Sequence, residues 1–120
     1  MADGAFSHAL NGSESVNIFR GLGIPGPDEQ IDLLTMRAGV RIERIVSHGH
    51  RSATDFWYDQ ADDEWVLVVK GSGTIAFDDG ETVTLGTGDH LLIPAHRRHR
   101  VENTEASTIW IAVFIPTQPV

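Results

Sequence analysis

Along most of the chain apolar and polar positions alternate with a period of two, and no segment sustains the 3.6-residue apolar period of an amphipathic helix. The segments VNIFRGL, IDLLTMR, VRIERIVSH and EWVLVVKGSG are rich in branched apolar residues, as strands are. The stretch GTIAFDDGETVTL reads as strand, turn, strand, because Asp-Gly between alternating segments is a hairpin signal. HLLIPA, HRVEN and TIWIAVFI complete a set of about eight short strands at close spacing. GIPGPDEQ, with two prolines and two glycines, is a loop. Many short strands at regular spacing predict an all-β sandwich or barrel. TIWIAVFI is apolar on both faces, which predicts burial on both, against a second copy of the chain or the N-terminal segment.

The length, 120 residues, suits one domain with one core. Residues 1–15 are small and polar and read as a flexible tail, leaving residues 16–120 as the domain. A net charge of −8 disfavours nucleic acid and anionic membranes as partners. There is no cysteine, so disulfides and thiolate metal sites are excluded. No basic region followed by an apolar run marks a signal peptide, and no apolar stretch approaches the roughly 20 residues of a membrane span. The expected compartment is the cytoplasm.

Chemistry concentrates on the histidines. His48 and His50 close the strand VRIERIVSH, and residues two apart on a strand share a face. On that face lie Val40, Ile42 and Val46, with Arg44 as the polar exception, so it is expected to look into the barrel. Glu64 shares a face with Val66 and Val68, and His99 with Val101 and Asn103. A buried carboxylate needs a cation or donors. Three imidazoles and one carboxylate facing one interior would suit Fe, Mn, Ni, Cu or Zn as a divalent ion. Each residue alone also has a plain reading: His48 and His50 as cover for a strand end, Glu64 as a solvated strand-start residue, His99 as one member of a polar HRRHR turn. Arg44, if inward, would anchor an anionic substrate group, because a buried guanidinium requires an anion; a strand bulge would turn it outward instead. The segment DFWYDQADD reads either as a lid, with Tyr58 and Gln60 reaching a ligand, or as an edge packed on the barrel. Arg97, Arg98 and Arg100 read as a solvated turn pairing with nearby acids, and His90 and His96 as exposed.

From Gly88 the chain reads GDHLLIPAHRRHRVEN, a G-x5-P-x-H-x2-H-x3-N pattern ending at Asn103. It resembles the second motif of the cupin superfamily, G-x5-P-x-G-x2-H-x3-N, with His96 at the glycine position. The first cupin motif ends in H-x-H, a few residues, then E-x6-G; Glu64 and Gly71 match its second half, and thirteen residues separate His50 from Glu64. The resemblance covers roughly residues 38 to 115. It implies a double-stranded β-helix, a jelly-roll-like barrel. It also implies His48, His50, Glu64 and His99 as ligands of one divalent transition metal, and a homodimer. Two functions follow as expectations. One is a metal-dependent oxygenase, isomerase or lyase acting on a small organic molecule inside the barrel, with Arg44, Tyr58 and Gln60 contacting it; the other is a barrel that binds a small ligand without turning it over.

Overall fold

The computed structural model describes residues 15–117. Among them there are eight strands and no helix, hence none able to cross a membrane. The strands are β1 (Gln30–Arg37), β2 (Val40–Ser47), β3 (Asp63–Lys70), β4 (Ser72–Phe77), β5 (Thr82–Gly86), β6 (His90–Ile93), β7 (His99–Thr104) and β8 (Thr108–Ile115). They form a five-stranded sheet in the order β1-β2-β8-β3-β6 and a three-stranded sheet in the order β5-β4-β7. All described pairings are antiparallel. This is the all-β architecture that the alternation predicts, in the jelly-roll-like form that the resemblance implies. The tail expected over residues 1–15 and His8 lie almost wholly outside the described residues.

The core lies between the sheets. Val66 and Val68 of β3, Ile93 of β6, and Trp110, Ala112 and Phe114 of β8 meet Ile75 and Phe77 of β4 and Leu85 of β5. The Asp78–Glu81 turn joins β4 to β5 as the hairpin signal requires, with Gly80 at φ 96° and the Phe77 amide donating to the Glu81 carbonyl. The strand expected over VNIFRGL is absent: residues 15–23 form turns and irregular chain. The Arg44 guanidinium holds this segment by donating to the carbonyls of Ile18, Arg20 and Gly21, bonds that suit a turn and not a ladder.

Gly71, separated from Glu64 by six residues, shows why its position excludes a side chain. Its φ is 87°, and an added Cβ would stand 2.6 Å from Thr108 Oγ1 and 2.9 Å from Thr108 Cα. Gly71→Ala is expected to lose about 1–3 kcal/mol from backbone strain alone, more as β8 is displaced. A urea titration would show a lower midpoint.

Candidate functional site

β2 carries apolar residues on both faces, and the structure turns it opposite to the sequence-based expectation. Arg41, Glu43 and Ile45 face the cavity between the sheets. Arg44 and Val46 point to the other side, 6% and 1% exposed. Arg44 is therefore no substrate anchor. It pairs across the ladder with Asp32 (Nη2 to Oδ2, 2.6 Å) beneath residues 18–21.

The same reversal takes His48 and His50 away from the cavity. β2 ends at Ser47, and Gly49 (φ 78°) turns the chain, so the shared-face rule no longer applies beyond it. His50 Nδ1 accepts the His48 amide at 2.9 Å and its Nε2–H donates to the Gly26 carbonyl at 2.8 Å. Both ring nitrogens are thus engaged, and His50 works as a clasp between loop and strand end. It borders a small polar recess with Asp28 and Glu29.

Glu64 and His99 do meet. Glu64 alternates inward with Val66 and Val68, as the pattern of β3 predicts. His99, at the start of β7, is 4% exposed and Glu64 8%. His99 Nε2 lies 3.5 Å from Glu64 Oε1. Its Nδ1–H donates to the Arg97 carbonyl at 2.8 Å, which fixes the ring and aims Nε2 at the carboxylate. Asn103 does not follow His99 inward. The register of β7 against β4 slips between Val101 and Asn103, a bulge that reverses the alternation and leaves Asn103 exposed.

Tyr58 and Gln60 reach the same place by a long-range route. The loop after His50 is laid along β7. Ser52 N–H donates to the Val101 carbonyl, Tyr58 and His99 exchange two backbone hydrogen bonds of 2.7 and 3.1 Å, and the His96 amide donates to the Gln60 carbonyl. Arg100 covers the Trp57 ring and donates to the Thr54 carbonyl. The Tyr58 ring stacks on His99 with centroids 5.5 Å apart, and Phe56 meets Tyr58 edge-on. The loop is thus an edge packed on the barrel and not a free lid, and its alternate residues Tyr58 and Gln60 line the cavity. His96 and His90 are exposed, as expected. His96 sits at φ 64°, which is why a glycine suits this place in the motif, and its Nδ1 bonds Asp59 at 2.7 Å. Arg97, Arg98 and Arg100 pair with Glu81, Asp78 and Glu102.

The result is a cavity of about 220 Å³ with an apolar wall of Ile45, Val66, Ile75, Ile93, Val101, Trp110 and Phe114. Its polar groups are Tyr58, Gln60, Glu64 and His99, with Glu29, Arg41 and Glu43 also on its lining. Burial would lower the His99 pKa, but contact with Glu64 and the Arg97 carbonyl outweighs it and raises the imidazole above its usual value. Burial, with the nearby charges of Glu29 and Glu64, pushes the Tyr58 phenol up, so it stays a proton donor. A protonated His99 against Glu64 and a neutral phenol beside them can donate and accept protons on a bound molecule.

The donor set does not fit a transition metal. Among the described residues no three of His, Asp and Glu converge on one point. His50 has no free lone pair, and His99 and Glu64 are turned on each other, leaving a phenol and an amide where further imidazoles would be needed.

Residues 42–114 match the family described as Cupin domain. No curated protein matches. A solved structure from Ralstonia eutropha, titled a "putative mannose-6-phosphate isomerase", is 40% identical, with TM-score 0.82 over 88% of this chain and 100% of that one. A cupin superfamily protein from Desulfitobacterium hafniense (18% identity, TM-score 0.67, 79% of this chain and 84% of that one) shares the fold. So does an RmlC-like cupin from Shewanella frigidimarina (19% identity, TM-score 0.66, 88% and 94%).

Proposed function

Because this chain belongs to the cupin family, whose barrel interior is where ligands are held, we propose that it binds a small organic molecule between its sheets and moves protons on it, as an isomerase does. The observation that carries this reading is the buried Glu64–His99 pair set against the apolar wall of the cavity. A carboxylate held out of water there has one charged partner among the described residues, and that partner is itself a proton carrier. In a carbonyl isomerisation Glu64 takes the proton from the carbon beside the carbonyl and returns it to the neighbouring carbon. His99 donates a proton to the carbonyl oxygen and takes one back from the neighbouring hydroxyl as that carbon becomes the new carbonyl, while Tyr58 hydrogen-bonds the oxygen on which charge develops. The name of the Ralstonia relative supports this class of chemistry. A divalent metal, which the family commonly uses, has no adequate donor set here, and no step is assigned to one.

The charge of the cavity narrows the molecule. Glu29, Glu43 and Glu64 line it against one arginine, and Arg41 is engaged with Glu43 at 3.0 Å and with the Phe114 ring at 4.3 Å. A phosphate would find no unengaged cation there among the described residues. An uncharged hydroxy-carbonyl compound is expected to bind more tightly than its phosphate ester, which calorimetry on matched pairs such as mannose and mannose 6-phosphate would show.

The test is proton exchange. The protein is incubated in D2O with a panel of small aldoses, ketoses and hydroxy-ketones, and deuterium entering beside the carbonyl is followed by NMR. Catalysed exchange by at least one compound supports the reading. Saturable binding of a compound without exchange would replace it with the non-catalytic ligand-binding alternative. Self-association is a further part of this proposal, supported by exposed Ile31 and Met36 on the edge strand β1. Light scattering is expected to return twice the 13.1 kDa chain mass.

A further inference from the structure

Tyr58 and Gln60 line the cavity with Glu64 and His99, and His48 and His50 do not. Counted along the chain, the cavity residues read Tyr58, one residue, Gln60, three residues, Glu64, and Gly71 follows after six more residues. This is the order of the first cupin motif, with the phenol and the amide standing in the two histidine places. The pair His48-x-His50, which looks like that motif locally, belongs to the end of β2 and is spent on a backbone clasp.

We infer that the cavity is built to work without a transition metal, Tyr58 and Gln60 having taken the two positions from which imidazoles would complete a four-donor set with Glu64 and His99. Two observations carry this independently of the proton-transfer reading. Tyr58 is fixed by two backbone bonds to His99 and stacks on its ring, so a group at position 58 is presented to the same space as His99. Gln60 is fixed in turn by the His96 amide. A phenol kept protonated and a neutral amide are hydrogen-bonding groups for an organic ligand. Neither replaces an imidazole for a borderline metal ion.

The experiment adds what the chain lacks. The full-length protein and its Tyr58→His/Gln60→His variant are each titrated with cobalt(II) chloride, then zinc chloride. Affinity is read by calorimetry and coordination by the visible absorption of bound Co(II). The native protein is expected to bind weakly and without protein-ligand bands. The double variant is expected to gain at least about 10–100-fold in affinity, the amount that even an outer-shell partner contributes to a metal site. That gain should vanish when His99→Ala is added and survive His50→Ala. If the double variant does not fold, Tyr58→His and Gln60→His singly should each show part of the gain.

Tight, stoichiometric Co(II) binding by the native protein that is lost in His99→Ala would overturn the inference. So would a folded double variant with no gain. Neither result depends on proton exchange. The proton-transfer reading can fail while the metal result stands, and the reverse.

Discussion

Glu64→Gln protein is expected to fold and to bind the same ligand, but to exchange its protons about 10²–10⁴-fold more slowly, the usual contribution of a positioned acid–base group. The amide keeps the shape of the side chain and removes the carboxylate that faces His99 at 3.5 Å. Calorimetry on the ligand and the NMR exchange rate separate the two effects. Unchanged exchange in the variant would remove Glu64 from the chemistry. The pH dependence changes as well. In the native protein His99 titrates above its usual value because Glu64 and the Arg97 carbonyl outweigh burial. A folded-state pKa raised in this way stabilises the fold fully below the unfolded value of about 6.5, and the contribution is lost as pH rises through the folded value. Without the carboxylate, burial dominates and the His99 pKa is expected to fall. The imidazole shift of His99, followed by NMR through the titration, checks the sign directly, and unfolding midpoints on either side of neutrality check its consequence.

The second large effect falls on stability. Arg44→Met is expected to lose about 3–5 kcal/mol, the cost of leaving one member of a buried ion pair alone. Asp32, its partner at 2.6 Å, is mostly buried, and the carbonyls of Ile18, Arg20 and Gly21 lose their donor in the same step. Amide exchange in residues 17–23 should therefore quicken before the sheets are affected. Replacing both partners, Arg44→Met with Asp32→Leu, is expected to recover most of the loss, because no uncompensated charge remains. Ligand binding by the refolded double variant should be native-like, since Arg44 faces away from the cavity. Weakened binding in a stable double variant would show that the outer face of β2 acts on the site.

Much of the fold is legible in the order of residues. Strand alternation places Glu64 with Val66 and Val68, and the structure keeps that face inward. The Asp-Gly turn fixes the β4–β5 hairpin, and the GDHLLIPAHRRHRVEN pattern brings His99 to the barrel interior. Each of these is a local fact of side-chain period or turn geometry, which neighbouring residues alone can specify. The site as a whole is less legible. β2 mixes charged and apolar residues on both faces, Arg41 and Glu43 with Ile45 on one and Arg44 with Val40, Ile42 and Val46 on the other, so its period of two does not say which face meets the cavity. That was decided by β1, which brings Asp32 against Arg44 on one side and Ile31 to the cavity on the other. The bulge in β7 turns Asn103 outward, and a bulge leaves no mark in alternation until its partner strand is known.

The largest difference concerns the two histidine-like positions. The sequence by itself determined an all-β cupin barrel and the inward faces of Glu64 and His99, because period and motif spacing act over a few residues. Only the tertiary structure decided that Tyr58 and Gln60 join them and that His48 and His50 do not. That choice rests on hydrogen bonds from the 52–60 loop to β7, between residues some forty positions apart, and contacts at that range arise from the packing of the whole chain.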